Sequence, residues 1–237
     1  MLIVNRPAFL RGCLLGISFC GVLALLFAPV FGSGQNGLQY ADNMFNRLSK
    51  GSSYFMPKVA RSNAGVAGTA VSLDLQLESP AIAQEASRIL AAAGATVERR
   101  ETNLKLGGDL GQLLDSALRD AEAGYRNDEA ALRQRYDMPA QASLVLWWRV
   151  LRQMDKALKQ QHRLAEARAV HEVMKKAVEP AHNYFGIEAV AVGEMAGTMT
   201  ALLLFYVFYT IWWGYAIFYL FEGVGLVMKK RPEAKQT

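Results

Sequence analysis

The sequence predicts a membrane-anchored α+β protein in which two transmembrane helices flank an extracytoplasmic domain. The first observation is a pair of uncharged apolar runs, Gly12 to Gly32 and Thr198 to Phe221. A helix rises ~1.5 Å per residue, so each run is long enough to cross a ~30 Å hydrocarbon layer. The other observations lie between the runs. An apolar–polar alternation from Val71 is typical of a half-buried strand, and helical periodicity begins at Leu110.

Length and cysteine content limit what the middle of the chain can be. The protein has 237 residues, 52% of them apolar, and a net charge of +5. The stretch between the apolar runs is long enough for one domain with its own core. Both cysteines, Cys13 and Cys20, lie in the first run, so this domain has no disulfide. That pattern does not identify a compartment.

The first apolar run has two interpretations. It is either a signal anchor that stays in the membrane as transmembrane helix 1, or a signal peptide cleaved near Val30-Phe31-Gly32. The run is longer than the ~7–15 apolar residues typical of a removable signal peptide. This length favours the retained helix, and cleavage remains the alternative.

The basic residues around the runs predict the orientation. The segments that adjoin the two runs on the side of the middle region have almost no basic residues. Arg47 is the first basic residue after the first run, and Lys176 is the last before the second. The outer flanks carry Arg6, Arg11, Lys229, Lys230, Arg231 and Lys235. Basic residues stay on the cytoplasmic side. We therefore expect a bacterial inner-membrane protein with both termini cytoplasmic and residues 33–194 periplasmic.

These observations divide the chain into seven regions. They are a cytoplasmic N-terminus (1–11), transmembrane helix 1 (12–32), a linker and juxtamembrane helix (33–68), a small α/β unit (69–109), a helical hairpin with a juxtamembrane helix (110–194), transmembrane helix 2 (195–228) and a cytoplasmic tail (229–237).

The α/β unit has the order β-α-β-β-α, its last helix continuing into the hairpin. After the strand at Val71, Ser79 and Pro80 are typical of a helix start, and Gly94 of a helix end. Two short strands follow, at 96–99 and 104–106, and Asp109 is placed to cap the next helix.

This order resembles KH-like and ring-building modules in outline. A KH domain carries a GXXG loop between two helices. Gly108 to Gly111 has that letter pattern, but it follows a strand and lacks the Gly-Lys-Ser/Thr ending of a P-loop. We interpret these glycines as turn and cap residues, and an extracytoplasmic location argues against RNA.

Two long helices are expected after the sheet, at 110–136 and 140–178, separated by Asp137 and Pro139. They form the predicted hairpin. Pro180 marks a kink or a boundary before a helix at 181–194 that continues into the second apolar run.

The segments next to the apolar runs are rich in aromatic residues. An amphipathic helix is predicted from Leu38 to Leu48. The segment 61–68 consists mainly of small residues and is predicted to be flexible. The aromatic residues are Tyr40, Phe45, Tyr54 and Phe55 after the first run, and Tyr184 and Phe185 before the second. They predict juxtamembrane packing, with membrane-surface contact as the alternative.

A row of basic residues follows one face of the second long helix at steps of three and four. Its members are Arg149, Arg152, Lys156, Lys159 and Arg163. One interpretation is a docking face for an acidic partner protein. The alternatives are a solvated face, or pairing with the acidic helix that runs from Asp109 to Glu129.

Small residues predict close packing of membrane helices. Gly12 and Gly16 form one such pair, and Gly193 and Gly197 form another. The pairs lie at opposite depths, so they cannot meet in one antiparallel hairpin. Other helices or subunits are their expected partners.

No catalytic, metal or cofactor signature is present. Glu179 and His182 give one Glu-x-x-His motif where a carboxylate-bridged metal pair needs two. His171 begins a zinc-protease pattern, but Lys175 occupies the position of its second histidine. His162 and the other two histidines are expected to be ordinary surface residues. We predict no enzyme activity, no cofactor and no nucleic-acid partner.

The sequence therefore predicts a non-catalytic accessory or scaffolding subunit of a bacterial envelope complex. It would associate with other membrane or periplasmic proteins, or with itself. The alternative is an extracytoplasmic sensory module that binds a ligand. Two helices around an outer domain resemble the front half of a bacterial chemoreceptor, but few residues follow Met228. A signal would therefore pass to a partner membrane protein.

Overall fold

We analysed a computed structural model, which describes residues 3–226. The predicted tail at 229–237, with Lys229, Lys230, Arg231 and Lys235, lies outside the described residues. The chain divides into two compact units. The first comprises the described parts of 1–45 and 191–237, and the second is Asn46–Val190.

The secondary structure is mostly helical with one small sheet. In chain order the elements are α1 (Arg6–Phe27), α2 (Gly37–Ser52), α3 (Met56–Asn63), β1 (Ala70–Gln76), α4 (Pro80–Ala92), β2 (Thr96–Arg100), β3 (Asn103–Asp109), α5 (Leu110–Tyr125), α6 (Glu129–Tyr136), α7 (Ala140–Gln160), α8 (Leu164–Val173), α9 (Glu179–Asn183) and α10 (Val192–Gly223). A 3₁₀ turn covers Ala64–Val66, and a π-helical turn covers Met174–Val178. The predicted α+β class is confirmed.

The first unit is built on α1 and α10, which pack antiparallel. At one end, the backbone N–H of Val4 donates to the carbonyl of Gly223 at 2.8 Å. Farther along, the Phe19 and Tyr209 rings stack with centroids 4.1 Å apart. The helices have 22 and 32 residues, and each contains an 18-residue stretch whose mean hydropathy is 2.1 in α1 and 1.7 in α10. Both are thus long and apolar enough to cross a membrane.

The second unit contains the predicted β-α-β-β-α order. Its antiparallel sheet has the strand order β1-β3-β2. Leu73 pairs with Leu106 across β1 and β3, and both side chains are buried. Ser79 caps α4 by accepting from the Ile82 N–H at 3.3 Å. Asp109 caps α5 by accepting from Gln112 at 2.9 Å, as turn and cap chemistry requires.

The two predicted long helices are each broken. The helix expected at 110–136 is interrupted because Asn127 adopts a left-handed φ of 60° and Asp128 caps α6, accepting from Ala131 at 3.1 Å. The helix expected at 140–178 is interrupted by His162, with a φ of 59°. The predicted hairpin is therefore a bundle of shorter helices.

Two further segments differ from the sequence prediction. The expected helix at 181–194 ends at Asn183, and α10 begins only at Val192. Gly186, with a φ of 80°, lies in the loop between them. Pro180 itself is accommodated in the first turn of α9, directly after the π-helical turn.

The segment at 61–68 is also more ordered than predicted. Its first residues complete α3, and the side chain of Asn63 is buried. The Asn63 amide donates to the Gly111 carbonyl at 3.1 Å and to the Asp115 carboxylate at 2.5 Å. These bonds fix α3 against α5.

Candidate docking surface and buried polar centres

Helix α7 has one buried apolar face and one basic face. Its apolar side, which includes Leu144, Trp147 and Leu151, is fully buried in the domain core. Four of the predicted docking residues lie along the rest of α7, and the fifth lies in the turn that follows. We call the five residues the basic stripe: Arg149, Arg152, Lys156, Lys159 and Arg163.

Three members of the basic stripe are held by intrachain partners. Arg149 lies 3.7 Å from the Glu78 carboxylate. Lys159 lies 2.6 Å from Asp155. Arg163 binds Glu166 at 2.9 Å and the Ala70 carbonyl at 3.1 Å, which fastens the α7–α8 turn to the outer edge of β1.

Two members of the basic stripe remain available. Arg152 and Lys156 are exposed, and neither forms an ion pair with any residue in the described range 3–226. The partners of the other three come from β1 and its following loop, α7 and α8. Within the same described range the acidic helix α5 does not pair with the stripe, so the pairing alternative raised by the sequence does not account for it.

An apolar pocket of about 280 Å³ lies next to Arg152, one of the two available members of the stripe. It is lined by Val145, Trp148, Val178, Glu179, His182 and Asn183. The Arg152 guanidinium stacks over the Trp148 ring at 5.2 Å from its centroid, so stripe and pocket share one wall. Glu179 accepts from the Trp148 indole and from Lys175, both at 2.8 Å. The Glu179 carboxylate, which lines the pocket, is thus already bonded to two donors of the chain.

A buried carboxylate joins three helices of the bundle. Asp120 on α5 is fully buried. It accepts from the Tyr136 hydroxyl at 2.5 Å, from the Trp147 indole at 2.7 Å, and from the Arg135 guanidinium. Burial, and secondarily the Asp120 carboxylate, raises the pKa of Tyr136 above its ordinary value, which keeps its hydroxyl a donor. With no exposed surface, Asp120 is a structural centre.

A buried lysine fixes the loop between α9 and α10. Lys50 on α2 is 2% exposed. Its ammonium donates to the carbonyls of Tyr184 at 3.1 Å and Ile187 at 2.5 Å, and to the Asn127 side chain at 3.2 Å. It also lies 5.0 Å from the centroid of the Tyr125 ring. Burial lowers the pKa of Lys50, partly offset by Glu188.

The histidines are not assembled into a site. His162 and His171 are exposed, and His182 lines the pocket, where its Nδ1 lies 3.3 Å from the Asn183 side-chain oxygen. Within 3–226, no group of three or more His, Cys, Asp or Glu residues is arranged to hold a metal ion.

The four predicted packing glycines have different surroundings. A Cβ at Gly12 would lie 2.7 Å from the Leu220 backbone nitrogen and 3.1 Å from the Ala216 carbonyl oxygen. A Cβ at Gly16, Gly193 or Gly197 would meet no atom within 4 Å. Gly12 therefore lies at the crossing of α1 and α10, while the other three leave open surface.

We expect Gly12→Leu to weaken the α1–α10 pair by about 1–3 kcal/mol, because the added side chain collides with backbone atoms. Gly16→Leu is the matched control on the same helix, since its added side chain meets open space. Thermal unfolding of the full chain in detergent micelles measures both. Equal stability of the two variants would contradict the packing of α1 on α10 at Gly12.

Comparisons with protein-family models, with curated proteins and with solved structures return no match. The stripe, the pocket and the two apolar helices are therefore the features from which we infer a function.

Proposed function

We propose that this protein is a non-catalytic, membrane-anchored accessory or scaffolding subunit of a bacterial envelope complex, and that it acts by protein–protein association. The observation that carries the proposal is the joined stripe and pocket on one side of α7. Arg152 and Lys156 have no ion-pair partner among residues 3–226, and the pocket offers a place for an apolar side chain. An apolar anchor surrounded by complementary charge is the usual anatomy of a protein interface.

The anchoring part of the proposal is supported by α1 and α10. Their antiparallel packing supports the retained first helix over a cleaved signal peptide. The basic residues at both ends of the chain favour cytoplasmic termini, with 33–194 in the periplasm. The open surfaces at Gly16, Gly193 and Gly197 are available for other membrane helices.

The docking face is tested by charge reversal in the full chain. We expect Arg152→Glu with Lys156→Glu to weaken recovery of a cross-linked partner from intact membranes about tenfold, because repulsion replaces attraction. The control is Arg61→Glu with Arg88→Glu, which reverses two exposed charges elsewhere on the domain. Cross-linked products larger than the 26.1 kDa chain are quantified for both pairs.

Two outcomes would contradict the proposal at different levels. If both charge reversals leave the cross-linked complex unchanged, the basic stripe is not the docking face, and the membrane helices become the remaining candidates. If the wild-type protein is monomeric with no cross-linked product, the subunit proposal fails. The sensory module then becomes the better proposal, with the Trp148 pocket as its ligand site; its volume is near the ~300 Å³ lower end of ligand pockets.

A further inference from the structure

The N-terminal half of α2 exposes two large apolar side chains on one side, where the exposed Asp42 also lies. Leu38 is 60% exposed and Phe45 is 54% exposed. Residues seven apart lie on the same side of a helix, so the two side chains point in one direction. Asn43, also exposed, lies on the opposite side. Single exposed apolar residues are ordinary on protein surfaces. Exposure alone therefore does not indicate a binding surface, and the position of these residues relative to α1 is needed as well.

The start of α2 is fixed next to the end of α1. A Cβ at Gly37 would lie 3.1 Å from the Leu26 carbonyl oxygen and 3.2 Å from the Phe31 ring. A Cβ at this position would push these neighbours apart by a few tenths of an ångström, so the close approach favours glycine. Asn36 and Gln39 then cap the helix reciprocally: the Gln39 N–H donates to the Asn36 side chain at 2.9 Å, and the Asn36 N–H to the Gln39 side chain at 3.0 Å.

This contact places the first turn of α2 level with the last turn of α1. If α1 crosses a bilayer, its last turn lies at the boundary between hydrocarbon and headgroups. Two further apolar side chains are exposed at this end of α1: Phe27 is its last residue, and Val30 follows it in the connection to α2. Aromatic and aliphatic side chains at this depth partition into the bilayer interface.

We propose that the N-terminal half of α2 is a membrane-interfacial helix, with Leu38 and Phe45 inserted into the lipid surface and Asn43 facing water. The partner is the bilayer itself, argued from the fixed α1–α2 corner. The inference rests on the membrane anchoring in the proposed function. It adds a second, in-plane contact that restricts how the chain leaves the membrane.

The test is spin labelling of the full chain in vesicles of phosphatidylcholine and phosphatidylglycerol. Nitroxides are placed one at a time by Leu38→Cys, Phe45→Cys and Asn43→Cys, each in a Cys13→Ser, Cys20→Ser background. A fourth sample labels the native Cys20, exposed on α1, in a Cys13→Ser background. The ratio of accessibility to oxygen over a water-soluble nickel complex reports immersion, and circular dichroism confirms that each labelled protein is folded.

We expect the ratio at positions 38 and 45 to be several-fold above that at 43 and below that at Cys20. Equal ratios at 38, 43 and 45, with a high ratio at Cys20, would overturn the interfacial helix and leave the anchoring intact. A low ratio at Cys20 would overturn the anchoring, and the interfacial helix with it. Spin–spin broadening in singly labelled Phe45→Cys protein would show that a second copy covers this face, which also overturns the proposal.

Discussion

Replacing Asp120 with alanine is expected to destabilise the domain by about 3–5 kcal/mol, the largest effect we predict for a single side chain. Three donors lose their common acceptor: the Arg135 guanidinium, the Tyr136 hydroxyl and the Trp147 indole. The Trp147 side chain is fully buried, so water cannot replace the lost carboxylate at the indole without opening the core. The truncation also leaves a cavity at the junction of α5, α6 and α7.

Urea unfolding of the full chain in detergent measures this effect. Glu85→Ala is the control, because Glu85 is an exposed acid on α4 and its loss is expected to change stability by less than about 0.5 kcal/mol. Tyr136→Phe, alone and combined with Asp120→Ala, forms a double-mutant cycle. A coupling energy near zero would show that Tyr136 and Asp120 do not act as one centre, and a small loss in Asp120→Ala would contradict its structural role.

The sheet unit was predictable because its signals are local. Alternation from Val71 identifies β1, and Ser79 with Pro80 identifies the start of α4. Gly94 ends α4 with a φ of 90°, a conformation that glycine adopts without steric cost. Each of these signals depends only on residues that are close in the sequence. The boundaries of β1 and α4 can therefore be predicted without knowledge of tertiary contacts.

The breaks in the long helices depend on distant contacts. Asn127 accepts the left-handed conformation while its side chain accepts from the Gly186 N–H at 2.8 Å and donates to the Ile187 carbonyl at 3.0 Å. These partners lie about 60 positions away. The helical spacing of apolar residues continues past Asn127, so the sequence predicts one long helix. The contacts that end α5 before Asn127 form only in the folded domain.

The basic stripe was predictable in part from local spacing, whereas the two buried charged residues depend on distant contacts. The spacing of the stripe correctly places four members along α7, but only the structure separates Arg152 and Lys156 from their paired neighbours. Asp120 and Lys50 look like ordinary surface charges in the sequence. Their burial follows from partners on other elements, and no local pattern marks them.

Replacing Lys50 with methionine is expected to destabilise the domain by about 2–4 kcal/mol, the second large effect. Methionine matches the length of the lysine stem but cannot donate to the carbonyls of Tyr184 and Ile187, or to Asn127. Lys58→Met is the matched control, since Lys58 is exposed on α3. Hydrogen exchange should show faster opening of the loop at 184–190 in Lys50→Met only, and unchanged protection there would contradict the role of Lys50 in fixing this loop.

The pH dependence of stability gives an independent measurement of the same residue. Burial lowers the pKa of Lys50 in the folded chain, so in the alkaline window just below its ordinary pKa the unfolded chain binds more protons than the folded one. The free energy of unfolding therefore rises with pH in that window, and this contribution is absent below the folded pKa, where both states are protonated. Lys50→Met removes the titrating group.

The unfolding free energy of the wild type minus that of Lys50→Met should thus increase as the pH is raised through that window. The corresponding difference between wild type and Lys58→Met should stay level. A flat difference for both variants would show that the Lys50 ammonium is as well solvated in the folded chain as in the unfolded one, contrary to its burial.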